Sequence, residues 1–265
     1  MASIILQIIS SITLFFLAYL QLTSKILTPL VEESSSNSLL DSSISIFLPM
    51  RDEDSNAERI INQIISEILE HENCRIIVID SNSTDNTAEI AKETLTKSNL
   101  DGSRWKIIYA EKPGKSHAVN LAMNHSDSDV IIMADADVSL QHGWLEKFQI
   151  SLSRKQIGVV SGMETEKERQ NKGARSYYRS YSNKLRAIES SYDTTPILEG
   201  GLISWKKIAL NDFQLDENLN ADDAQIVFQA IRNGYRTIVN PDIIFQDMGD
   251  PKKYFFRSVR RSQGL

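Results

Sequence analysis

The sequence predicts an α/β protein with a mostly parallel β-sheet flanked by helices. Four short apolar segments, rich in β-branched residues, recur along the chain, and amphipathic segments with helical periodicity separate them. Continuous apolar runs of about 4 to 8 residues are typical of strands that are buried on both faces of a parallel sheet. The alternation of the two kinds of segment therefore predicts strands joined by helical crossovers.

The predicted strands are ISIFLP (44–49), RIIVID (75–80), WKIIYA (105–110) and VIIMAD (130–135). The predicted helices between them are DSNAERIINQIISEILEHE, STDNTAEIAKETLTK and GKSHAVNLAMNH. In the first helix Ser55 and Glu58 predict a capping box, and one apolar stripe is formed by Ile60, Ile61, Ile64, Ile65, Ile68 and Leu69. The order β-α-β-α-β-α-β predicts right-handed crossovers and a ligand crevice at the carboxyl ends of the strands.

The chain ends differ in composition from this region. Residues 1–30 contain an uncharged stretch of about 20 residues, which predicts a transmembrane anchor. A cleaved signal peptide and a buried soluble helix are the alternatives. We interpret the Ser-rich residues 31–43 as a linker, 44–250 as the main folded domain, and 251–265 as a basic helix.

Composition excludes several classes of protein. The net charge of -6 and the pI near 5.3 argue against a general nucleic-acid binder. Because Cys74 is the only cysteine, an intramolecular disulfide is excluded. With four histidines besides, a zinc site built from Cys and His is not expected.

Polar clusters follow each predicted strand and should meet at one edge of the sheet. They are Pro49 to Glu53, Asp80 to Asp85, the loop at Gly114, and Asp135 to Asp137. A single Asp at such a position is more often part of an Asx-turn or a helix cap than a ligand. Several clusters on the same edge instead predict a binding site.

Seven segments then resemble glycosyltransferase family 2, in the family's order and spacing, from Ile44 to the end of the chain. They are FLPMRDED, VIDSNSTDNT, KPGKSHAVNLAM, MADADV, EGGLISWKKIAL, NADDAQIVFQAIRNGYRT and RSVRRSQG. MADADV occupies the position of the family's Asp-x-Asp motif. The resemblance implies a GT-A fold, which is a Rossmann-like sheet flanked by helices, and an inverting enzyme that uses nucleotide-sugar donors. Residues 44–250 would then be the GT-A catalytic domain, and the basic helix 251–265 would lie at the membrane interface or the active site.

On the donor side, the resemblance implies a divalent-cation site and a nucleotide site. Asp135 would hold ribose or metal, while Asp137 would reach a Mg²⁺ or Mn²⁺ ion that bridges the two phosphates. Asp80 would accept a hydrogen bond from the nucleotide base. The remaining nucleotide-binding positions would be Pro49, Arg51, Glu53 and Lys115.

On the acceptor side, Asp223 matches the family's catalytic base, and the neighbouring Asp222 could raise one of the two pKa values. Gly200, Gly201 and Trp205 would border the acceptor, although core packing is an alternative role for Trp205. A third group would neutralise the leaving diphosphate or, alternatively, bind lipid headgroups: Arg257, Arg260 and Arg261.

The chain departs from the family pattern at five positions. Asp52 replaces Asn, Ser81 replaces the second Asp, Asp222 replaces Glu, Gln225 replaces an acidic residue, and Arg261 replaces Trp. The last change leaves acceptor handling and processivity open.

The sequence thus predicts a single-pass membrane glycosyltransferase that faces the cytoplasm, uses a UDP-sugar or alternatively a GDP-sugar, and acts on a lipid-linked or polysaccharide acceptor. A sugar-nucleotide pyrophosphorylase is disfavoured because PMRDEDSN lacks the Gly-rich loop of that class. A non-catalytic or partner-dependent subunit of a membrane-embedded complex remains the alternative.

Overall fold

The computed structural model of the protein describes residues 42–165, 174–219 and 221–248, together with Ser11, Leu14 and Phe15. Most of the predicted anchor (1–30) and linker (31–43), and all of the predicted basic helix (251–265), lie outside these residues. In the parts of the chain that the structure describes, no helix is both long enough and apolar enough to cross a membrane.

The first half of the domain contains the predicted parallel strands and the helices between them. Its elements are β1 (Ile44–Met50), α1 (Asp54–Ile68), β2 (Cys74–Asp80), α2 (Thr87–Lys97), a 3₁₀ turn (Gly102–Arg104), β3 (Trp105–Tyr109), α3 (Lys115–Asn124) and β4 (Val130–Ala134). β1 lies between β2 and β4, β3 pairs with β2, and all these pairings are parallel. The predicted order of strands and helices is confirmed for this half.

The second half adds strands that the sequence analysis did not predict. Its elements are β5 (Val138–Leu140), α4 (Trp144–Leu152), β6 (Ile157–Glu164), α5 (Ala174–Tyr192), β7 (Leu202–Lys206), α6 (Lys207–Leu210), α7 (Asp222–Arg232) and β8 (Arg236–Asp247). The described strands form one sheet in the order β3-β2-β1-β4-β7-β6-β8-β5. β7 is antiparallel to β4 and β6, and β5 is antiparallel to β8, while β8 runs parallel to β6. The sheet is therefore mixed, with its parallel part centred on β1.

Both faces of β1 are buried, as its apolar sequence predicts. Ile46 and Leu48 belong to the hydrophobic cluster that contains the isoleucines of α1. Phe47 points into the other cluster, which includes residues of α3 and α7. Because successive side chains of a strand point to opposite faces, one short strand joins the two cores and fixes the position of its own carboxyl end.

The start of α1 differs from the prediction. The helix begins at Asp54 with Glu53 as its N-cap residue, and no side chain caps it, so the predicted Ser55–Glu58 capping box is wrong. Backbone donors at this point bond across to the loop after β2 instead: Asp54 N donates to Asp85 Oδ2 at 3.2 Å, and Glu53 N donates to Thr87 Oγ1 at 2.8 Å. These contacts satisfy two of the backbone N–H groups at the start of α1.

The predicted apolar stripe of α1 is correct for its five isoleucines, which are all buried. The prediction that Leu69 belongs to this stripe is wrong, because Leu69 follows the last helical residue and its side chain is exposed.

Candidate active site

The loops after β1 and β2 interlock at the carboxyl edge of the sheet. Asp52 has a left-handed backbone with φ of 53°, a conformation that Asp and Asn adopt more readily than other side chains. Its Oδ1 accepts from Thr84 N at 2.7 Å, and its N–H donates to Ser83 Oγ at 3.1 Å. An Asp in place of the family's Asn therefore keeps a structural role in this loop.

The loop before α3 is tied to the same edge by Ser81. Gly114 N donates to Ser81 Oγ at 3.0 Å, and the Ser81 hydroxyl lies 3.3 Å from Gly114 O. Gly114 has φ of 147°, which side chains rarely allow. A hydroxyl both donates and accepts, whereas a carboxylate only accepts, so Ser81 suits this contact better than the Asp of the family pattern.

Asp80 ends β2 as a buried carboxylate with only 7% of its surface exposed. Oδ2 accepts a long hydrogen bond of 3.4 Å from Ser83 N, and Oδ1 has no hydrogen-bond partner among the described residues. A buried acceptor without a donor costs free energy, and such groups concentrate at functional sites. Asp80 is therefore suited to accept an N–H group from a ligand.

Lys115, the first residue of α3, connects two parts of the site. Its Nζ lies 2.7 Å from Asp135 Oδ1 and 3.1 Å from Asp222 Oδ2. Burial disfavours its charge, but the carboxylates of Asp135 and Asp222 outweigh burial and raise the pKa of Lys115 above its ordinary value. The lysine therefore stays protonated between the Asp-x-Asp turn and the start of α7.

Asp222 and Asp223 open α7, as predicted, and stand beside Gly200. Burial, followed by the charge of Asp222, raises the pKa of Asp223 above the ordinary value for aspartate. A Cβ atom on Gly200 would come within 2.9 Å of Asp223 Oδ2, so the absence of a side chain lets the carboxylate lie against the backbone. This arrangement favours a carboxylate that accepts protons more readily than an exposed one.

The Asp-x-Asp turn lies between β4 and β5. Its backbone is held on both sides, because Asp135 N donates to Gly201 O at 2.9 Å and Met248 N donates to Asp137 O at 2.6 Å. Among the described residues, no three His, Cys, Asp or Glu side chains are grouped to hold a metal by themselves. Two carboxylates nevertheless fit Mg²⁺ or Mn²⁺, because such ions take one or two protein carboxylates and complete their shell with substrate phosphates and water.

The other predicted donor-side residues are less enclosed. Glu53 Oε2 accepts from Asn56 Nδ2 at 2.8 Å, at the base of α1. Arg51 is half-exposed, and its Nε lies 3.8 Å from Asp52 Oδ2. Pro49 lies within β1, opposite Ile79 of β2. All three lie at the predicted edge of the sheet.

One acceptor-side prediction is corrected. Trp205 lies in the middle of β7 with 0% of its surface exposed, and its ring packs edge-on against Phe47 with centroids 6.2 Å apart. It is therefore a core residue, and the predicted apolar wall for an acceptor is wrong. Gly201 makes room for the core ring of Phe245, because a Cβ there would come within 2.6 Å of Cε2. The predicted Arg257, Arg260 and Arg261 lie outside the described residues.

Residues outside the predicted site fix the segment before α7. Asn120 Nδ2 donates to Leu215 O, and Leu215 N donates to Asn120 Oδ1, both at 2.9 Å. Hydrogen bonds from Lys112 and His117 lower the pKa of Glu217 to about 2. Asn120 is buried on α3, and its place in the Gly-Lys-x-x-Ala-Leu-Asn segment was the available signal in the sequence.

Gln225 completes this anchorage. Its Oε1 accepts from Asp216 N at 2.7 Å and its Nε2 donates to Asp216 O at 3.2 Å. A carboxylate could make only the first contact. The amide that departs from the family pattern thus serves to hold the loop next to Asp222 and Asp223.

Among curated proteins, similar sequences are glycosyltransferases of different lengths. A dolichyl N-acetyl-alpha-D-glucosaminyl phosphate 3-beta-D-2,3-diacetamido-2,3-dideoxy-beta-D-glucuronosyltransferase of Methanococcus voltae is 24% identical over 82% of this chain and 70% of its own length. Glycosyltransferase AglE of Haloferax volcanii is 28% identical over 45% of this chain and 38% of its own. For the dolichyl-phosphate beta-glucosyltransferase of Mus musculus, the identity is 30% over 40% of this chain and 34% of its own. The chain thus matches only about a third of the length of the last two.

Solved structures share the fold. Mannosyltransferase PcManGT from Pyrobaculum calidifontis, in complex with GDP-Man and Mn²⁺, superposes with a TM-score of 0.76 at 21% identity, over 94% of this chain and 69% of that chain. S. aureus TarS in complex with UDP-GlcNAc gives a TM-score of 0.59 at 18% identity, over 77% and 58%. These similarities confirm the predicted GT-A fold.

The family assignment rests on the sequence itself. The family model described as glycosyl transferase family 2 matches residues 45–211, which is more than half of the 265-residue chain and extends from β1 through the loop of Gly200 to the end of α6. The chain therefore belongs to glycosyl transferase family 2.

Proposed function

We propose that this domain transfers a sugar from a nucleoside-diphosphate sugar to a lipid-linked acceptor, with inversion at the anomeric carbon. The observation that carries the proposal is the contact of Lys115 with both Asp135 and Asp222. The Lys115 ammonium group contacts the Asp-x-Asp turn, which is suited to the donor diphosphate. It also contacts the start of α7, where the candidate base Asp223 lies. Donor and acceptor groups would thus meet at one crevice.

The donor would bind at the ends of β1, β2 and β4. Asp80 Oδ1, which has no donor among the residues that the structure describes, is suited to accept an N–H of the nucleotide base. Asp135 and Asp137 would hold a Mg²⁺ or Mn²⁺ ion, which supplies positive charge to the diphosphate. UDP-sugars are our first choice and GDP-sugars the second, and similar folds have been solved with UDP-GlcNAc and with GDP-Man.

Asp223 would act as the base. The acceptor hydroxyl transfers its proton to the Asp223 carboxylate, its oxygen forms a bond to the anomeric carbon, and the bond from that carbon to the diphosphate oxygen breaks on the opposite face. The pKa of Asp223 is raised by burial and by Asp222, which brings its basicity closer to neutral pH. Displacement from the opposite face inverts the configuration.

The leaving diphosphate needs compensating positive charge near its oxygens. Lys115 supplies one cation next to Asp135. We propose that Arg257, Arg260 and Arg261 supply more, since their spacing would place them on one face of a helix.

We infer a lipid-linked acceptor, and with it a location at a membrane, from the relatives. Two proteins similar to this chain have names that specify dolichyl-linked substrates, and one of them matches 82% of it. An acceptor held at a membrane would also suit an anchor in residues 1–30, facing the cytoplasm where nucleotide sugars are available.

Donor hydrolysis and transfer would test the proposal directly. The full chain in detergent is incubated with UDP- and GDP-sugars and with Mn²⁺, Mg²⁺ or EDTA, with and without polyprenyl phosphate or a polyprenyl-linked sugar. We expect metal-dependent release of one nucleoside diphosphate, stimulated by a lipid acceptor, and inversion in the product by NMR. Asp137→Asn should abolish release, and the control Asp212→Asn, an exposed carboxylate at the opposite edge of the sheet, should not.

Failure would also be informative. Folded protein that binds nucleotide with Mn²⁺ but releases no diphosphate from any donor would contradict transfer by this chain alone. It would favour a non-catalytic or partner-dependent subunit.

A further inference from the structure

One polar face of α1 runs alongside the segment that contains the Asp-x-Asp turn. Asn56, Arg59, Gln63 and Glu67 are spaced three or four residues apart, which puts them on a single face of the helix. Glu67 accepts from Gly143 N at 3.1 Å and from Leu145 N at 3.3 Å. Gln63 Oε1 accepts from Leu140 N at 3.3 Å. This polar face of α1 therefore contacts the backbone of the segment at several points.

Arg59 makes the contacts closest to the candidate metal ligand. Its Nη1 donates to Val138 O at 2.6 Å, and its Nη2 approaches Ala136 O at 3.3 Å. These two carbonyl groups belong to the residues on either side of Asp137. One planar guanidinium thus binds the peptide backbone before and after this aspartate.

The guanidinium is itself held in place by the helix. Nη1 also donates to Gln63 Oε1 at 3.2 Å, and Nη2 donates to Asn56 Oδ1 at 3.1 Å. It further interacts electrostatically with the carboxylates of Asp137 and Glu53. Because a guanidinium presents several donors in a rigid plane, this arrangement fixes the geometry of the turn in a way that a single ammonium group cannot.

We propose that Arg59 is a positioning residue for the donor site: it holds the backbone on both sides of Asp137 and so presets the carboxylate for the cation and the diphosphate. The link to the cation rests on the proposed function, whereas the effect on the turn does not. Removal of a residue that orients a metal ligand typically lowers metal affinity by about 10- to 100-fold.

The test compares Arg59→Lys with Arg104→Lys. Arg104 is a matched control because its guanidinium also binds backbone carbonyls, those of Ile68, His71 and Cys74, but at the C-terminal end of α1, away from the site. Both lysine variants keep the charge and lose the planar donor group, so both should lose some thermal stability.

Two readouts separate positioning from stability. Amide hydrogen exchange of residues 136–140 in the ligand-free protein should become about tenfold faster in Arg59→Lys and stay unchanged in Arg104→Lys. Mn²⁺ affinity, measured by electron paramagnetic resonance with UDP and then with GDP, should fall about 10- to 100-fold in Arg59→Lys only.

Each result decides a separate point. Unchanged exchange at 136–140 in Arg59→Lys would overturn the positioning role. If exchange becomes faster in Arg59→Lys but the variant binds Mn²⁺ as tightly as the unmodified chain, the link between Arg59 and the metal would be overturned. If the unmodified chain binds no Mn²⁺ with either nucleotide while exchange still accelerates in the variant, the proposed function fails and the role of Arg59 in holding the turn stands.

Discussion

Buried polar groups at the two edges of the sheet have different kinds of partner. At the amino edge, Ser45, Ser126 and Ser128 are buried and bond to one another through their hydroxyls. Arg75 donates to Ser45 Oγ at 2.8 Å and lies 3.3 Å from Ser126 Oγ. Arg104 donates to backbone carbonyls. These two arginines face neutral acceptors.

At the carboxyl edge, charged groups face one another instead. Lys115 lies between Asp135 and Asp222, and Asp223 stands next to Asp222 with a raised pKa. Asp80 Oδ1 is buried without a donor among the described residues. Uncompensated carboxylates destabilise the free protein, whereas a ligand that brings N–H groups and a divalent cation would satisfy them.

The contrast indicates how function can be located in a fold with many buried polar atoms. The polar groups of the amino-edge network are already hydrogen-bonded to neutral partners, which is typical of a structural network. The carboxyl edge instead contains carboxylates without enough compensating positive charge, and this lowers the stability of the folded protein. If this interpretation is right, substitutions at the two edges should affect activity and stability in opposite ways.

The largest expected effect is that of Asp223→Asn. Loss of the candidate base should lower kcat about 10³-fold, within the range for general-base catalysis. Stability should change in the other direction. Because the folded-state pKa of Asp223 is raised, its ionisation at neutral pH disfavours the folded state, and Asn removes this cost. We expect the Tm at pH 7 to rise by about 1 to 4 °C.

The pH dependence provides the check. A carboxylate with a raised folded-state pKa contributes stability below its unfolded pKa and loses it as pH rises through the folded pKa. The Tm advantage of Asp223→Asn should therefore shrink as the pH is lowered towards 4. Exposed Asp212→Asn, tested in parallel, should leave kcat unchanged. A lower Tm for Asp223→Asn at pH 7 would contradict the assignment of a destabilising charge at this edge.

A smaller effect is expected from the two adjacent glycines. Alanine at Gly200 would bring Cβ within 2.9 Å of Asp223 Oδ2, so the carboxylate must move. We expect kcat to fall about tenfold with little change in Tm, since a misplaced catalytic group costs rate even where folding is preserved. Alanine at Gly201 would meet the buried ring of Phe245 at 2.6 Å and should cost about 1 to 3 kcal/mol of unfolding free energy.

Comparison of kcat, corrected for folded fraction, with urea unfolding would separate these two outcomes. Gly200→Ala should show the larger loss in kcat, and Gly201→Ala the larger loss in stability. Equal losses of both kinds in the two variants would indicate that Gly200, like Gly201, serves packing only.

The sequence predicts the parallel half of the sheet well because its strands are apolar on both faces and its helices are strongly periodic. The position of Asp135 after β4 and of Lys115 at the start of α3 then follows from chain order alone. In contrast, β7 reads as a short apolar run near Gly200, and its antiparallel pairing depends on contacts far along the chain. Local pattern cannot specify such pairings.

Single side chains were harder to predict than elements. Trp205 has the same sequence signature whether it borders a ligand or packs on Phe47, because only the tertiary structure decides its burial. Arg59 belongs to a polar helix face that resembles a solvated surface in the sequence. Ser55 and Glu58 match a capping motif, but the helix already begins at Asp54, where a contact with the loop after β2 holds its first backbone N–H.

The smallest expected effect on activity is that of Arg75→Met at the amino edge. The substitution removes a cation from the serine network, yet Ser45 Oγ retains hydroxyl partners in Ser126 at 2.9 Å and Ser128 at 2.8 Å. Losing hydrogen bonds to neutral acceptors that keep other partners should cost about 1 to 2 kcal/mol in urea unfolding. Donor KM and kcat should stay within about twofold, since solvent and salt screen the lost charge of Arg75 over the length of β2. A change in donor KM without a loss of stability would show that the two edges are coupled, with β2, which contains both Arg75 and Asp80, as the direct connection between them.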